Sequence, residues 1–166
     1  SAKPGQRLKR PFNINARPMG GGDGAGGVLH PMLTVERQVF VPLAVAAQIT
    51  PLEVAQVAAA GYRVLINNRP DGEEASQPNS ADIEAAAAAA GLEYYHMPVN
   101  ALNFPGEEFT AMCQLMADED KPVLAFCRTG TRCANLWVAS KTGEEREAAI
   151  SEARQLGFDL SLAARA

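Results

Sequence analysis

The strongest chemical signal in the sequence is the six-residue segment from Cys127 to Arg132, which reads Cys-Arg-Thr-Gly-Thr-Arg. A cysteine thiolate is a nucleophile, and an arginine guanidinium can donate two parallel hydrogen bonds to an oxyanion. A glycine in the turn lets the backbone approach a ligand, so that successive N–H groups can point at one centre. The segment therefore predicts a small-anion site in which Cys127 attacks and Arg132 binds the substrate. The other substrate-binding candidates of the segment are Arg128, Thr129, Gly130 and Thr131.

The elements on either side of this segment predict a low thiol pKa for Cys127. Residues 122–126 form a wholly apolar run, which is typical of a central parallel strand covered on both faces. Residues 131–140 have the pattern of a helix. The N-terminus of a helix carries partial positive charge and unpaired N–H groups, and both favour a thiolate over a thiol. We therefore expect Cys127 where the buried strand ends, as a nucleophile at neutral pH.

Strand and helix signals alternate along most of the chain. A capping box with proline in the first turn begins at Thr50, and glycines at 61 and 91 suit helix ends. The predicted strands cover residues 39–41, 62–67, 92–99 and 122–126, and the predicted helices cover residues 51–60, 80–90, 107–117, 131–140 and, from a second capping box at Thr142, 142–157. This alternation predicts an α/β fold with three layers, in which a mostly parallel sheet is flanked by helices. Ligands of such sheets bind at the carboxyl ends of the strands.

The N-terminal part of the chain has a different composition from the rest. Residues 1–37 contain six of the fifteen basic residues and two acidic ones, a net charge of +4. Because the whole chain has a net charge of −4, the other 129 residues have a net charge of −8. Seven of the fourteen glycines lie in the first 27 residues. Because such a run has high backbone entropy and little to bury, we expect residues 1–35 to form a flexible arm before a catalytic domain over residues 36–166. The glycine run is not a P-loop, since no strand precedes it and no lysine follows it.

Composition excludes several classes of partner. A net charge of −4 argues against nucleic acid, and no apolar run approaches the length of a membrane span. Three cysteines, an odd number, argue against a disulfide framework and favour a reducing, cytoplasmic compartment. The histidines and cysteines are too scattered for a zinc site, so we expect neither a metal nor another cofactor. The composition does not predict an oligomeric state.

The chain resembles the bacterial beta-lactamase-hydrolase-like phosphatase domain family, a branch of the cysteine-dependent, protein-tyrosine-phosphatase-like fold. The resemblance extends from about residue 36 to 162 and leaves out the arm. Its segments are Gln-Ile-Thr-Pro at 48–51, Ala-Gly-Tyr-Arg at 60–63, Ile-Asn-Asn-Arg-Pro-Asp-Gly-Glu-Glu at 66–74, Ala-Gly-Leu-Glu-Tyr at 90–94, Met-Pro-Val at 97–99 and the segment at 127–132. The resemblance implies that Cys127 is the nucleophile and Arg132 the phosphate-binding arginine of a phosphatase-like hydrolase. It also implies a link to sulfide metabolism.

The segment departs from the pattern of orthodox tyrosine phosphatases. Those enzymes have five residues between cysteine and arginine, whereas four separate Cys127 from Arg132. The shorter loop resembles the active loop of rhodanese sulfurtransferases, whose cysteine carries a sulfane sulfur. The histidine that usually precedes the phosphatase cysteine is Phe126 in this chain. Transfer of sulfur therefore stands as a rival to transfer of a phosphoryl group.

A phosphatase also needs a general acid to protonate the leaving oxygen. By the resemblance, Ala101 occupies the position of the usual aspartate. We expect Asp71 to replace it, with Arg69 of the same loop adding a second charge at the anion site. Glu107 and Glu108 are the other candidates.

A second cysteine follows the nucleophile closely. Cys133 either resolves an oxidised or persulfidated Cys127 by thiol exchange or is a small packing residue.

The sequence thus predicts a cysteine-dependent, phosphatase-like hydrolase that acts on a small anionic, phosphoryl-bearing substrate. The alternative is a rhodanese-like sulfurtransferase or persulfide carrier, and the second alternative is an anion-sensing module without catalysis. The expected partner is a phosphorylated or persulfidated molecule.

Overall fold

The computed structural model describes residues 16–20 and 43–165. In these residues the strands are β1 (Arg17–Met19), β2 (Leu43–Ala46), β3 (Val64–Asn67), β4 (Glu93–His96) and β5 (Val123–Phe126). The helices are α1 (Pro51–Ala59), α2 (Ser80–Ala90), α3 (Phe109–Ala117), α4 (Thr131–Ala139), α5 (Gly143–Gln155) and α6 (Ser161–Arg165).

The five strands form one sheet in the order β1-β2-β5-β3-β4. Strands β2, β5, β3 and β4 are parallel, and β1 pairs with β2 in the antiparallel direction. Helices α1 and α2 pack on one face, while α3 to α6 contribute to the core on the other. The predicted three-layer α/β fold with a mostly parallel sheet is therefore confirmed.

Strand β5 lies at the centre of the sheet, as its apolar run predicts. All four of its residues are fully buried. Val123 and Ala125 face the layer of α3 to α6, while Leu124 and Phe126 face α1 and α2. Because successive side chains of a strand point to opposite faces, the next residue, Cys127, lies on the α3 to α6 side.

The helix ends follow the sequence signals with one exception. The Thr50 N–H donates to Glu53 Oε1 at 2.9 Å, which is the reciprocal bond of a capping box. Gly91 ends α2 in the left-handed conformation, with φ at 81°. The second predicted capping box is wrong, because the Thr142 side chain makes no capping hydrogen bond. Gly143, the first residue of α5, has a positive φ of 56°, whereas residues inside an α-helix have a negative φ. Helix α6, at Ser161–Arg165, lies beyond the last helix that the sequence predicted.

Part of the predicted arm belongs to the sheet. Residues 17–19 form β1, so the expectation of a flexible arm is corrected there. Met19 is almost fully buried in the core, and the Arg17 guanidinium lies over the Phe158 ring and donates to the Leu156 carbonyl. One apolar anchor and one stacked cation thus hold a segment whose composition is otherwise typical of a linker. Of the other arm residues, only Ala16 and Gly20 are described, and the strand predicted at 39–41 lies outside the described residues.

Asn135 joins the helix that follows the cysteine to the C-terminal segment. Its side chain is fully buried. The amide nitrogen donates to the carbonyls of Thr131 and Asp159, both at 2.8 Å, and the amide oxygen accepts from the Ala163 N–H at 2.8 Å. All the hydrogen bonds of a buried amide are thus made within the protein, and the position of α4 depends on them.

Replacing Asn135 by alanine should lower the free energy of unfolding by about 2–3 kcal/mol, because buried backbone groups then lose their partners. Urea denaturation followed by circular dichroism measures the change. Gln114→Ala is the matched control, since Gln114 is an exposed amide on α3. We expect that variant to remain within about 0.5 kcal/mol of the wild type. Equal losses for the two variants would contradict the role of Asn135.

Candidate active site

Cys127 lies at the carboxyl end of the central strand, where the sequence predicts the nucleophile. Its N–H donates to the Ala46 carbonyl at 3.3 Å, which extends the pairing of β5 with β2 by one residue. Its Sγ accepts a hydrogen bond from the Gly130 N–H at 3.1 Å. The residue is fully buried. The sulfur is therefore held by the backbone of the turn at the start of α4.

Gly130 makes this turn possible. It precedes α4 as the N-cap residue, with φ at 91°, in the left-handed region that favours glycine. A Cβ atom at this position would lie 3.4 Å from Phe158 Cε1 and 3.5 Å from the Ala46 carbonyl. The turn thus combines an unusual backbone conformation with close packing, and its N–H points at the sulfur.

The surroundings of Cys127 lower its thiol pKa from 9.0 to about 6. The largest cause is contact with the Cys133 thiol, and burial opposes it. The backbone N–H of Cys133, the charge of Arg132 and the backbone of Thr129 lower the pKa further. At neutral pH Cys127 is therefore mostly a thiolate, which is the state that attacks an electrophile.

Cys133 is the second thiol of the site. It is fully buried, and burial raises its pKa well above the ordinary value. Its Sγ donates to Asn68 Oδ1 at 3.2 Å. All three cysteines of the chain are free. Cys133 thus lies in the core, with its thiol beside Cys127 and bonded to Asn68, while its role in thiol exchange stays a prediction.

Arg132 is held by two elements outside its own loop. Its Nη1 donates to Glu73 Oε2 at 2.8 Å and to the Val99 carbonyl at 2.9 Å, and its Nη2 donates to Glu73 Oε1 at 2.9 Å. The side chain is only 15% exposed. The arginine predicted to bind the anion is therefore fixed by a bidentate ion pair with the loop that follows β3.

Arg69 contacts acidic side chains in the same loop. Its side chain is 2% exposed, and its Nε donates to Glu73 Oε1 at 2.9 Å. Its terminal nitrogens donate to Gln48 Oε1 at 3.0 Å and to Glu74 Oε1 at 2.8 Å. Two carboxylates thus offset its charge. Arg69 and Arg132 both donate hydrogen bonds to the Glu73 carboxylate. A direct contact of Arg69 with an anion stays a prediction.

The predicted acids lie on exposed turns. Asp71 Oδ1 accepts from the Ser80 N–H at 2.8 Å, so this carboxylate holds the start of α2. Glu108 is the N-cap residue of α3, and Glu107 precedes it; both are exposed. The pKa of Glu73 is lowered, mainly by its hydrogen bond from Arg132, so that carboxylate is ionised and a poor proton donor. A general-acid role for Asp71 stays a prediction.

The other predicted cradle residues line the turn between β5 and α4. Arg128 and Thr129 are exposed, and the Arg128 carbonyl accepts from the Gln48 N–H at 3.3 Å. Thr129 Oγ1 donates to Thr131 Oγ1 at 2.9 Å and accepts from the Thr131 N–H at 3.3 Å. These contacts hold the turn in shape around the sulfur.

Sequence reasoning missed two residues of the site. Glu73 and Asn68 belong to the Asn-Asn-Arg-Pro-Asp-Gly-Glu run. This run supports the family resemblance, but the sequence alone predicted no role for either residue. Asn68 is fully buried, and its Nδ2 donates to the Met97 carbonyl at 2.8 Å. The short spacing of Arg69 and Glu73, four residues apart, could have indicated their ion pair. Glu73 and Arg132 are 59 positions apart, so no local pattern in the sequence indicates that they pair.

Two findings concern groups outside this cluster. In residues 16–20 and 43–165, no three histidine, cysteine, aspartate or glutamate side chains lie close enough together to hold a metal ion. The helices of this part of the chain are all too short or too polar to cross a bilayer.

Solved structures of phosphatases share the fold. A candidate phosphatase of Neisseria meningitidis is 35% identical, with a TM-score of 0.59 over 72% of this chain and 86% of that one. Tk-PTP in its active form is 21% identical, with a TM-score of 0.56 over 72% and 83% of the two chains. TpbA of P. aeruginosa, solved in complex with phosphotyrosine, is 20% identical, with a TM-score of 0.51 over 70% of each chain. The last two show the fold alone. The fold is that of the protein-tyrosine-phosphatase-like proteins.

The sequence comparison gives the family. Residues 36–144 match the phosphatase-like domain of the beta-lactamase hydrolase-like proteins. The beta-lactamase hydrolase-like protein of Agrobacterium fabrum is 35% identical over 126 residues, and that of Xylella fastidiosa is 35% identical over 124 residues. The matches cover 74% and 73% of this chain but only 29% of each relative. The chain belongs to this family of phosphatase-like domains, as the resemblance predicted, and spans less than a third of its curated relatives.

The thiolate absorbance of Cys127 should appear with a midpoint at about pH 6. Because the folded-state pKa is lowered, the thiol is protonated below this pH and charged above it. The ultraviolet difference between the wild type and Cys127→Ser, recorded from acidic to alkaline pH, isolates this group.

Cys133→Ala should raise that midpoint, because the Cys133 thiol is the largest cause of the lowered pKa. Cys113→Ser is the control and should leave it unchanged, since Cys113 lies on α3 and has a raised pKa. A midpoint near 9.0 in the wild type would show that the turn does not stabilise the thiolate.

Proposed function

We propose that this domain is a cysteine-dependent phosphatase that acts on a small phosphoryl-bearing anion through Cys127 and Arg132. The carrying observation is the Cys127 sulfur, which accepts the Gly130 N–H and has a pKa of about 6 beside the charge of Arg132. A thiolate next to a guanidinium and a helix N-terminus suits an electrophile that carries negative oxygens. Membership of a phosphatase-like family supports this reaction class.

The reaction proceeds in two displacements. The Cys127 thiolate attacks phosphorus, the sulfur–phosphorus bond forms, and the bond from phosphorus to the leaving oxygen breaks with its electron pair going to that oxygen. Water then attacks phosphorus, the sulfur–phosphorus bond breaks, and the thiolate and inorganic phosphate are released. Arg132 and the turn amides stabilise the charge on the phosphoryl oxygens during both steps.

The leaving group determines which esters react well. Glu73 contacts Arg132 and is ionised, and Asp71 is exposed with Oδ1 bonded to the Ser80 N–H, so we expect proton donation to the leaving oxygen to be inefficient. A leaving oxygen that is stable as an anion needs no proton. We therefore infer that aryl and acyl phosphates are better substrates than alkyl phosphates. Asp71 remains the proposed acid for the slower esters.

Hydrolysis of p-nitrophenyl phosphate by the wild type should be lost in Cys127→Ser, by about a thousandfold or more, because serine is not ionised at neutral pH. Release of p-nitrophenolate measures the rate, and Cys113→Ser serves as the thiol control that should keep it. The wild-type rate should rise with pH through about 6 as the thiolate forms. Turnover that survives in Cys127→Ser would refute the mechanism.

A second candidate function is transfer of sulfane sulfur. It is favoured by the four-residue spacing between Cys127 and Arg132 and by the lack of a placed acid. With thiosulfate as donor, the Cys127 thiolate attacks the sulfane sulfur, a sulfur–sulfur bond forms, and the bond to sulfite breaks. Sulfite leaves as an anion and requires no proton. A thiophilic acceptor such as cyanide then attacks the outer sulfur and forms a bond to it, while the sulfur–sulfur bond breaks with its electron pair going to Cys127, which leaves as the thiolate.

Incubation with thiosulfate should, if sulfur transfer is the reaction, add about 32 Da to Cys127, the mass of one sulfur atom. Intact-protein mass spectrometry detects this adduct, and cyanide should remove it with formation of thiocyanate. Cys127→Ser should show neither. No adduct, together with phosphatase turnover, would exclude this candidate. Binding of phosphate or sulfate with no turnover of either kind would instead favour the anion-sensing alternative.

The wider setting remains a prediction. The chain spans 29% of the Agrobacterium and Xylella relatives, so the partner and substrate of a longer protein do not follow from this domain. We propose a phosphorylated or persulfidated small molecule as the ligand. A cytoplasmic location suits a site that depends on free thiols.

A further inference from the structure

The donor hydrogens of Arg132 are divided between the protein and one open edge. A guanidinium has five N–H hydrogens in a planar fork. Glu73 accepts one from each terminal nitrogen, and the Val99 carbonyl accepts the second hydrogen of Nη1. Among the hydrogen bonds of residues 16–20 and 43–165, none uses Nε–H or the second hydrogen of Nη2. These two hydrogens lie side by side and point in one direction, which is the geometry for a second bidentate oxyanion.

We propose that Glu73 is the positioning residue of the anion site: it fixes the guanidinium of Arg132 so that the Nε and Nη2 edge binds the substrate oxyanion. This inference rests on the proposed function, because it takes Arg132 to be the residue that binds the anion. Glu73 itself touches no reacting atom. It acts by removing the rotational freedom of a long side chain before the substrate arrives, so less entropy is lost on binding.

A buried ion network fixes Glu73 in turn. Arg69 donates to Glu73 Oε1, the same oxygen that accepts from Arg132, and the Arg69 side chain is 2% exposed. A buried guanidinium is costly without carboxylate partners, so Arg69 holds both Glu73 and Glu74 in place. The Arg69 N–H also donates to Asn67 Oδ1 at 2.8 Å, which ties the loop to the end of β3. A chain of hydrogen bonds therefore connects Arg132 to the sheet by way of Glu73 and Arg69.

The opposite role makes the opposite prediction. If Glu73 instead acted as an internal competitor for Arg132, its removal would strengthen anion binding. Simple electrostatics predicts the same direction, because Glu73→Gln removes a negative charge beside the site. Positioning alone predicts weaker binding in a variant with a more positive site. The sign of the change therefore separates the two roles.

The test is titration of the full chain with sodium sulfate and with sodium phosphate by isothermal calorimetry, in the Cys127→Ser background to prevent turnover. Glu73→Gln should weaken binding by about tenfold or more, since the Arg132 fork loses a charge-assisted pair. Glu73→Asp should weaken it similarly, because the shorter side chain keeps a charge for Arg69 but withdraws from Arg132. Because Glu73→Asp retains that charge, the test can be made with this variant if Glu73→Gln does not fold.

Glu74→Gln is the matched control. This substitution removes the same charge as Glu73→Gln. Glu74 also pairs with Arg69, but it makes no hydrogen bond to Arg132, and its side chain is 54% exposed. We expect less than about a threefold change in affinity for this variant. With the Cys127 thiol restored, the two Glu73 variants should also lose p-nitrophenyl phosphate turnover relative to Glu74→Gln. Thermal unfolding of each variant separates loss of fold from loss of binding.

Arg132→Ala distinguishes failure of this inference from failure of the proposed function. Unchanged sulfate binding in Arg132→Ala would mean that Arg132 does not hold the anion, and both would fall. Loss of binding in Arg132→Ala together with wild-type or tighter binding in the folded Glu73 variants would overturn the positioning role alone. Equal weakening by Glu73→Gln and Glu74→Gln would overturn it as well, because the effect would then come from charge or from Arg69.

Discussion

The constraint on which the site depends is that strand β5 has no face on solvent. Helices cover both sides of it, and strands flank it on both edges. The chain must therefore leave the core at Cys127 and return as α4 within four residues, through a turn in which Arg128 and Thr129 are exposed and Gly130 is buried. The N–H of the buried Gly130 points inward at the sulfur. The low thiol pKa thus comes from the Cys133 thiol and the backbone donors of this turn, against the burial that opposes it.

The loop after β3 supplies what the turn after β5 lacks. Because β3 and β5 are parallel neighbours, the loops that follow them leave the same edge of the sheet. Asn68 contacts the thiol of Cys133, and Glu73 pairs with Arg132. One loop therefore contacts both the Cys133 thiol beside Cys127 and the guanidinium of Arg132, the group that we propose binds the oxyanion. The two loops form a single unit, and neither would have this geometry alone.

The sequence predicts features that depend on local chemistry. Strand β5 is recognisable because it is apolar throughout. The start of α1 follows from the capping residue Thr50, and the end of α2 follows from Gly91, which adopts the left-handed conformation because it has no side chain. The mostly parallel sheet follows from the alternation of elements, and the position of Cys127 follows from the end of the apolar run, whereas the order of the strands was not predicted. Strand β1 was missed, because burial of Met19 against the sheet is a tertiary effect in a glycine-rich context. Glu73 was missed for the same reason, since its partner is distant in the sequence.

Gly130 has a consequence for how such a domain can acquire a new ligand. Its φ of 91° lies in the left-handed region that other residues rarely adopt, and a Cβ there would touch Phe158 and Ala46, so a side chain at this position would strain the turn. Arg128 and Thr129, in contrast, are exposed side chains on the same turn. The proposed ligand preference can therefore change most freely at Arg128, whose side chain makes none of the hydrogen bonds that hold the turn around the Cys127 sulfur. The turn separates reactivity from recognition within six residues, so that one can diverge without the other.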